Sequence, residues 1–143
     1  LSFKFDNLTT FYKLSKLHNR LQQDGYISNS TSFKNFEASF NGKLIAEFHK
    51  IDWNPCFSNK GPFSFISFFI RILVKNYGLL SPSLTGKKRC VEITSNRIKK
   101  IFTHRNESIN ISSYSSISQW TDHSKSDDPK VTRLLEIITS SLS

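Results

Sequence analysis

The chain has 143 residues, a formal net charge of +9 and a large aromatic share that includes 13 phenylalanines. Such a chain can form one domain with a sizeable core, since domains mostly run to about 100–150 residues and each aromatic side chain can bury on the order of 150–250 Å². This composition favours a folded protein over a disordered basic tail, and 2 cysteines are too few for a secreted disulfide framework. The excess of positive charge points to an anionic partner.

The longest apolar stretch, residues 63–74, contains Arg71 and is shorter than the roughly 20 apolar residues that cross a bilayer. We therefore predict no membrane association, and we predict a cytoplasmic location because we expect the two cysteines, Cys56 and Cys90, to be reduced. The sequence has no methionine, even at position 1, and looks like a piece of a longer protein.

In the N-terminal part, the spacing of apolar residues predicts two helices. The first can be capped by Asn7 or Thr9, and Gly25 follows its end. The second covers about residues 31–40 and stops at an Asn-Gly pair. Residues 43–53 fit a helix or, towards their end, a short strand.

Two further helices are marked by prolines. Pro62 opens a third helix that runs to Asn76 and is apolar almost all round, as is usual for a central, buried helix. A last helix begins at Pro129, behind the capping residue Asp128.

The segments of about 8–55 and 62–105 repeat a pattern in which a helix ends at glycine, an apolar pair follows, and another helix comes after a polar turn. We interpret residues 1–143 as a single domain built from two stacked helix-turn-helix-like units, to which the C-terminal helix 129–142 is added. The alternative is that any two amphipathic helices ending in glycine look alike.

Residues 87–105 concentrate the positive charge, with seven basic side chains against one acidic residue, Glu92. At 100° per residue, Thr94, Ile98 and Ile101 share one helix face, and basic residues spread over the other. Residues 89–93 fit a short strand as well. Either version puts a basic helix after a buried helix and a turn, which favours a helix-turn-helix module on duplex DNA.

This basic segment supplies the predicted nucleic-acid contacts. Arg97 and Asn96 carry the side-chain types that read guanine and adenine edges, whereas the lysines suit phosphates. The predicted set is Lys87, Lys88, Arg89, Asn96, Arg97, Lys99, Lys100, His104 and Arg105. The competing interpretation is a solvated helix face without a partner.

Catalytic motifs are absent from the sequence. The histidines lack metal-ligand spacing, and there is no Walker loop or nucleophile elbow. Cys56 and His49, seven residues apart, could form a nucleophile and base, but a buried thiol is the commoner arrangement. We predict no enzymatic activity, no cofactor, no metal and no small-molecule substrate.

The succession DGYIS, FKNFEASFNGK, KIDWNP and FISFFIRILVKNYGLLS resembles RteC-type regulatory proteins and related uncharacterised proteins of conjugative transposons. In that group a K-I-x-W element precedes a helix, and a further helix has a phenylalanine near its end, here Phe102. The resemblance covers roughly residues 8–105. It implies a mostly helical DNA-binding regulator with a winged-helix-like part, and it assigns no catalytic residue or DNA contact.

Together these observations predict a mainly α fold with a helix-turn-helix or winged-helix-like part and at most a few short strands. The predicted function is that of a regulatory protein of a mobile genetic element that binds duplex DNA through a basic helix, either as a homodimer or with an adjoining domain. The alternative is a non-enzymatic helical module for protein–protein interaction, whose apolar third and last helices bury against a partner.

Overall fold

A computed structural model describes residues 2–6, 10, 12–44, 50–57, 61–80, 88–109 and 125–143, and residues 88–92 by their backbone alone. The described residues form five helices, which are α1 Leu14–Gln23, α2 Phe33–Ala38, α3 Pro62–Asn76, α4 Lys88–Ile101 and α5 Pro129–Leu142. They also form five strands, which are β1 Lys4–Phe5, β2 Ile51–Asp52, β3 Leu79–Leu80, β4 Phe102–His104 and β5 Glu107–Ser108.

The strands make two small sheets, so the prediction of a mainly α fold is wrong and the fold is a mixture of helix and sheet. β1 pairs antiparallel with β3. β2 runs parallel to β4, which pairs antiparallel with β5. Strands of two or three residues are too short to show the alternation that identifies a strand in a sequence.

The predicted helix ends are largely confirmed where the structure describes them. Ser32 caps α2 by accepting a hydrogen bond from the backbone N–H of Asn35 at 3.2 Å. Pro62 is the first residue of α3, and Asp128 caps α5 through the N–H of Lys130. The predicted caps Asn7 and Thr9 lie outside the described residues.

Trp53 lies at the centre of the core, with none of its surface exposed. The rings of Tyr26, Phe65, Phe69 and Phe102 surround it at centroid distances of 5.1–6.1 Å. α3 supplies much of this core, because ten of its residues are buried. The prediction of a central third helix is therefore confirmed.

α5, the last helix of the described chain, packs on α1. Arg20 donates to the Ser140 hydroxyl at 2.6 Å, and Arg133 pairs with Asp24 at 2.9 Å. The Tyr26 hydroxyl donates to the carbonyl oxygen of Lys130.

The division of the chain into two stacked helical units remains a prediction. Among the described helices, none has both the length and the apolar character needed to cross a membrane.

Candidate nucleic-acid interface

α4 is an amphipathic helix whose outer face is polar and basic. Its inner face places Thr94, Ile98 and Ile101 in the core, each with none of its surface exposed. Asn96, Lys99 and Lys100 are exposed on the outer face. The helix begins at Lys88, so residues 89–93 are helical rather than a strand. The side chains of Lys88 and Arg89, and the whole of Lys87, lie outside the described part of the site.

Arg97 lies at the border between the two faces of α4. It is half-buried, and its guanidinium carbon lies 5.9 Å from the centroid of the Phe3 ring. A cation over an aromatic ring is stabilised by about 0.5–1 kcal/mol at an exposed site. Arg97 therefore covers the core residue Phe3 as well as contributing charge beside Asn96.

A lysine that sequence reasoning missed lies at the C-terminal end of α4. The Lys50 ammonium group donates to the carbonyl oxygen of Lys100, one of the carbonyls that a helix leaves without an internal partner. A cation is favourable there, because the helix dipole is negative at its C-terminus. Lys50, Lys99 and Lys100 thus meet at one end of the helix. The parallel pairing of β2 with β4 brings them together, and no local pattern around residue 50 indicates it.

Among the described residues, no acidic side chain forms an ion pair with Lys99 or Lys100. The ion pairs found among the described residues are Lys130 with Asp128, and Arg133 with Asp24 and Glu136, all at α5. None of them uses a cation from α4 or from the hairpin that follows it. The positive potential of Lys99 and Lys100 is therefore open to an anion from solution.

β4, β5 and a two-residue turn form a hairpin directly after α4. Arg105 and Asn106 make the turn, with φ of 52° and 64°, and β4 and β5 pair His104 with Glu107. Positive φ at both turn residues is the pattern of a type I′ turn, whose twist matches that of the flanking strands. The hairpin therefore holds the exposed Arg105 at its tip.

His104 faces the protein interior through both ring nitrogens. Nδ1 lies 2.8 Å from the carbonyl oxygen of Trp53, and Nε2 lies 3.9 Å from the Cys56 sulfur. Since a carbonyl only accepts, Nδ1 carries the proton, and Nε2 can accept from the thiol. His104 thus holds the hairpin against residues 53–56. Its ring nitrogens face the protein interior and are poorly placed to bind a phosphate.

Cys56 has a histidine partner, although not the one that sequence spacing indicates, since His49 lies outside the described residues. Burial raises the pKa of the Cys56 thiol, and the nearby Lys130 and Arg105 lower it by less. The thiol is therefore protonated at neutral pH and is a weak nucleophile. No group of three or more metal-ligating side chains occurs among the residues that the structure describes.

A cleft of about 390 Å³ lies between the end of α1 and the start of α5, where Asn54 and Pro55 also line it. Its polar groups are paired with each other: Arg133 binds Asp24, and Tyr26 binds the backbone of Lys130. The Arg133, Asp24 and Tyr26 side chains of the cleft thus already have partners within the chain.

Comparisons with known proteins add no evidence about this site. No protein-family model matches the chain, and no curated protein or solved structure shows significant similarity to it. The resemblance to RteC-type proteins accordingly stays a prediction from the sequence.

Proposed function

We propose that the chain binds duplex DNA through the exposed face of α4 and the tip of the hairpin that follows. The observation that carries the proposal is the group of cations at the C-terminal end of α4, where Lys99 and Lys100 are exposed and no described acid pairs with them. Lys50, directly before β2, and Arg105 at the tip of the hairpin extend the same surface. Phosphates are the ligands that such a surface attracts.

Asn96 is the residue of this surface best suited to a base edge, because an amide side chain can bind adenine through two hydrogen bonds. It lies on the exposed face, one helical turn before Lys99 and Lys100. Arg97 reaches outward less, since its guanidinium group lies over Phe3. We therefore assign phosphate contacts to the lysines and the one candidate base contact to Asn96.

A regulatory role in a mobile genetic element rests on the RteC resemblance alone. In that proposal the chain recognises a site in the element's DNA and controls genes for excision or transfer. The alternative of a protein-interaction module needs free apolar faces on the third and last helices. Both helices instead bury their apolar residues in the chain's own core, including Phe65, Phe69, Leu134 and Ile138.

Fluorescence anisotropy with a random-sequence duplex over a salt series tests the proposal. Phosphate contacts by Lys50, Lys99, Lys100 and Arg105 predict a slope of log K against log salt of about −3.6, since each contact contributes about −0.9. Lys99→Ala with Lys100→Ala is expected to reduce the slope by about 1.8.

The matched control replaces Lys16 and Lys34, which are exposed on α1 and α2, by alanine. It removes the same charge from elsewhere on the surface, so the salt slope should stay near the wild-type value. Equal losses in the two double variants would mean attraction by net charge alone. Absence of wild-type binding at low salt would refute the proposal, and tighter binding to single-stranded or duplex RNA would move it to another nucleic acid.

A further inference from the structure

Asp52 is a buried carboxylate with only 6 % of its surface exposed, and it binds the hairpin at two points. One carboxylate oxygen, Oδ1, accepts from the Thr103 hydroxyl at 2.9 Å and from the backbone N–H of Asn106 at 2.9 Å. Its own backbone N–H is satisfied by the Thr31 hydroxyl. Burying an ionised carboxylate is costly unless hydrogen bonds compensate for the lost water. The two bonds to the hairpin provide such compensation.

The turn that Asp52 holds is conformationally unfavourable for its sequence. Arg105 and Asn106 both adopt positive φ, a region that residues with a β-carbon other than asparagine and aspartate rarely enter. Glycine would adopt this conformation without strain. Side chains kept in such a conformation are often functional, and Arg105 is the exposed cation of the pair.

We propose that Asp52 is a positioning residue that fixes the hairpin turn, so that Arg105 makes one phosphate contact beside those of α4. This inference rests on the proposed function. β4 follows α4 without a linker and has three residues, so at about 3.4 Å per residue the strand separates the turn from the helix end by at most about 10 Å. Phosphates recur every 3.4 Å along the duplex axis on each strand, so α4 and Arg105 can reach one duplex together.

A double-mutant cycle with duplex DNA tests the assignment. Arg105→Ala should reduce the salt slope by about 0.9, which corresponds to one phosphate contact. Asp52→Ala should reduce it equally, and the double variant should lose no more, because both changes remove the same contact. Asp52→Asn keeps an oxygen that can accept both hydrogen bonds, so its slope should match the wild type. A general loss of folded protein would lower the apparent affinity and leave the slope unchanged.

Hydrogen exchange at the Asn106 amide tests the role of Asp52 without DNA. The N–H should exchange slowly in the wild type and in Asp52→Asn, and at least tenfold faster in Asp52→Ala. If Asp52→Ala does not fold, Thr103→Val takes its place, since it leaves the carboxylate one contact with the hairpin and should also speed exchange. A wild-type slope and wild-type exchange in these variants would overturn the proposal. Failure of the wild type to bind DNA would overturn the proposed function and the phosphate contact, with the exchange rates still deciding whether Asp52 fixes the turn.

Discussion

Replacing Arg105 by glycine is expected to stabilise the fold while it weakens DNA binding. The residue has φ of 52°, and its side chain is exposed at the tip of the hairpin. Glycine enters this conformation freely, so the substitution removes local strain without removing a packed group. It also removes the charge that we assign to a phosphate.

The size of the stability change follows from two opposing terms. A left-handed conformation costs an ordinary residue about 1–2 kcal/mol. Glycine also has more conformations in the unfolded chain, which stabilises the unfolded state. This opposing term offsets about 0.4–1 kcal/mol of the gain. The expected net gain is about 0.8 kcal/mol, within a range of about 0–1.6 kcal/mol, or roughly 2–3 °C in melting temperature for a chain of this length. The salt slope of DNA binding should fall by about 0.9 at the same time.

Urea unfolding and the anisotropy salt series measure the two effects on the same samples. Arg105→Gln is the first control: it removes the charge and keeps the strain, so it should lower the slope and leave stability unchanged. Asn106→Gly is the second, since it relaxes the neighbouring residue and keeps the charge, with a smaller gain because asparagine tolerates positive φ. A glycine variant that loses stability, or that binds with the full wild-type slope, would refute this reasoning.

Three further outcomes are expected from other parts of the structure. Gly78→Ala should lower the free energy of unfolding by about 1 kcal/mol in urea denaturation, because residue 78 has positive φ and a β-carbon there would also displace the Asp6 carboxylate; an unchanged or higher stability would contradict this. Burial chiefly, with the Asp24 carboxylate next, raises the pKa of Tyr26 from 10.0 to about 12, so the hydroxyl's contribution to stability is complete below pH 10 and is lost as the pH rises towards 12. The stability difference between the wild type and Tyr26→Phe should therefore shrink over that interval, and a constant difference would exclude the coupling. In a Cys90→Ser background, iodoacetamide should alkylate Cys56 more slowly at pH 8 than it alkylates free cysteine, because burial raises the pKa of this thiol; a faster rate would mean that Lys130 and Arg105 dominate.

The helices were predictable because their signals are local. Pro62 and Pro129 stand at first helical positions, Ser32 and Asp128 supply caps, and apolar residues recur at helical spacing. The inner face of α4 could be read in the same way from its periodicity. In each of these cases, residues within a few positions of one another determine the structure.

The sheets and the details of the site depend on residues far apart in the chain. Ile51 pairs with Phe102, and this register brings Lys50 to the end of α4 and His104 to Cys56. A strand of two residues is too short for alternating apolar and polar residues to identify it in the sequence. The parallel partner lies 51 positions away, so no turn sequence between the two strands indicates their pairing. Sequence reasoning therefore found the basic helix and missed Lys50 and Asp52.

The packing of α1 on α5 has a consequence for the order of folding during synthesis. Contacts such as Arg20 with Ser140 and Asp24 with Arg133 join residues more than 100 positions apart. α1 leaves the ribosome before α5, and although α2 packs on it soon after synthesis, the part of its apolar side that α5 covers stays open until α5 has been made. At about 5–20 residues per second this delay is on the order of 5–20 s. Through that interval the nascent chain carries a partly uncovered apolar helix, so slow translation should favour its capture by a chaperone.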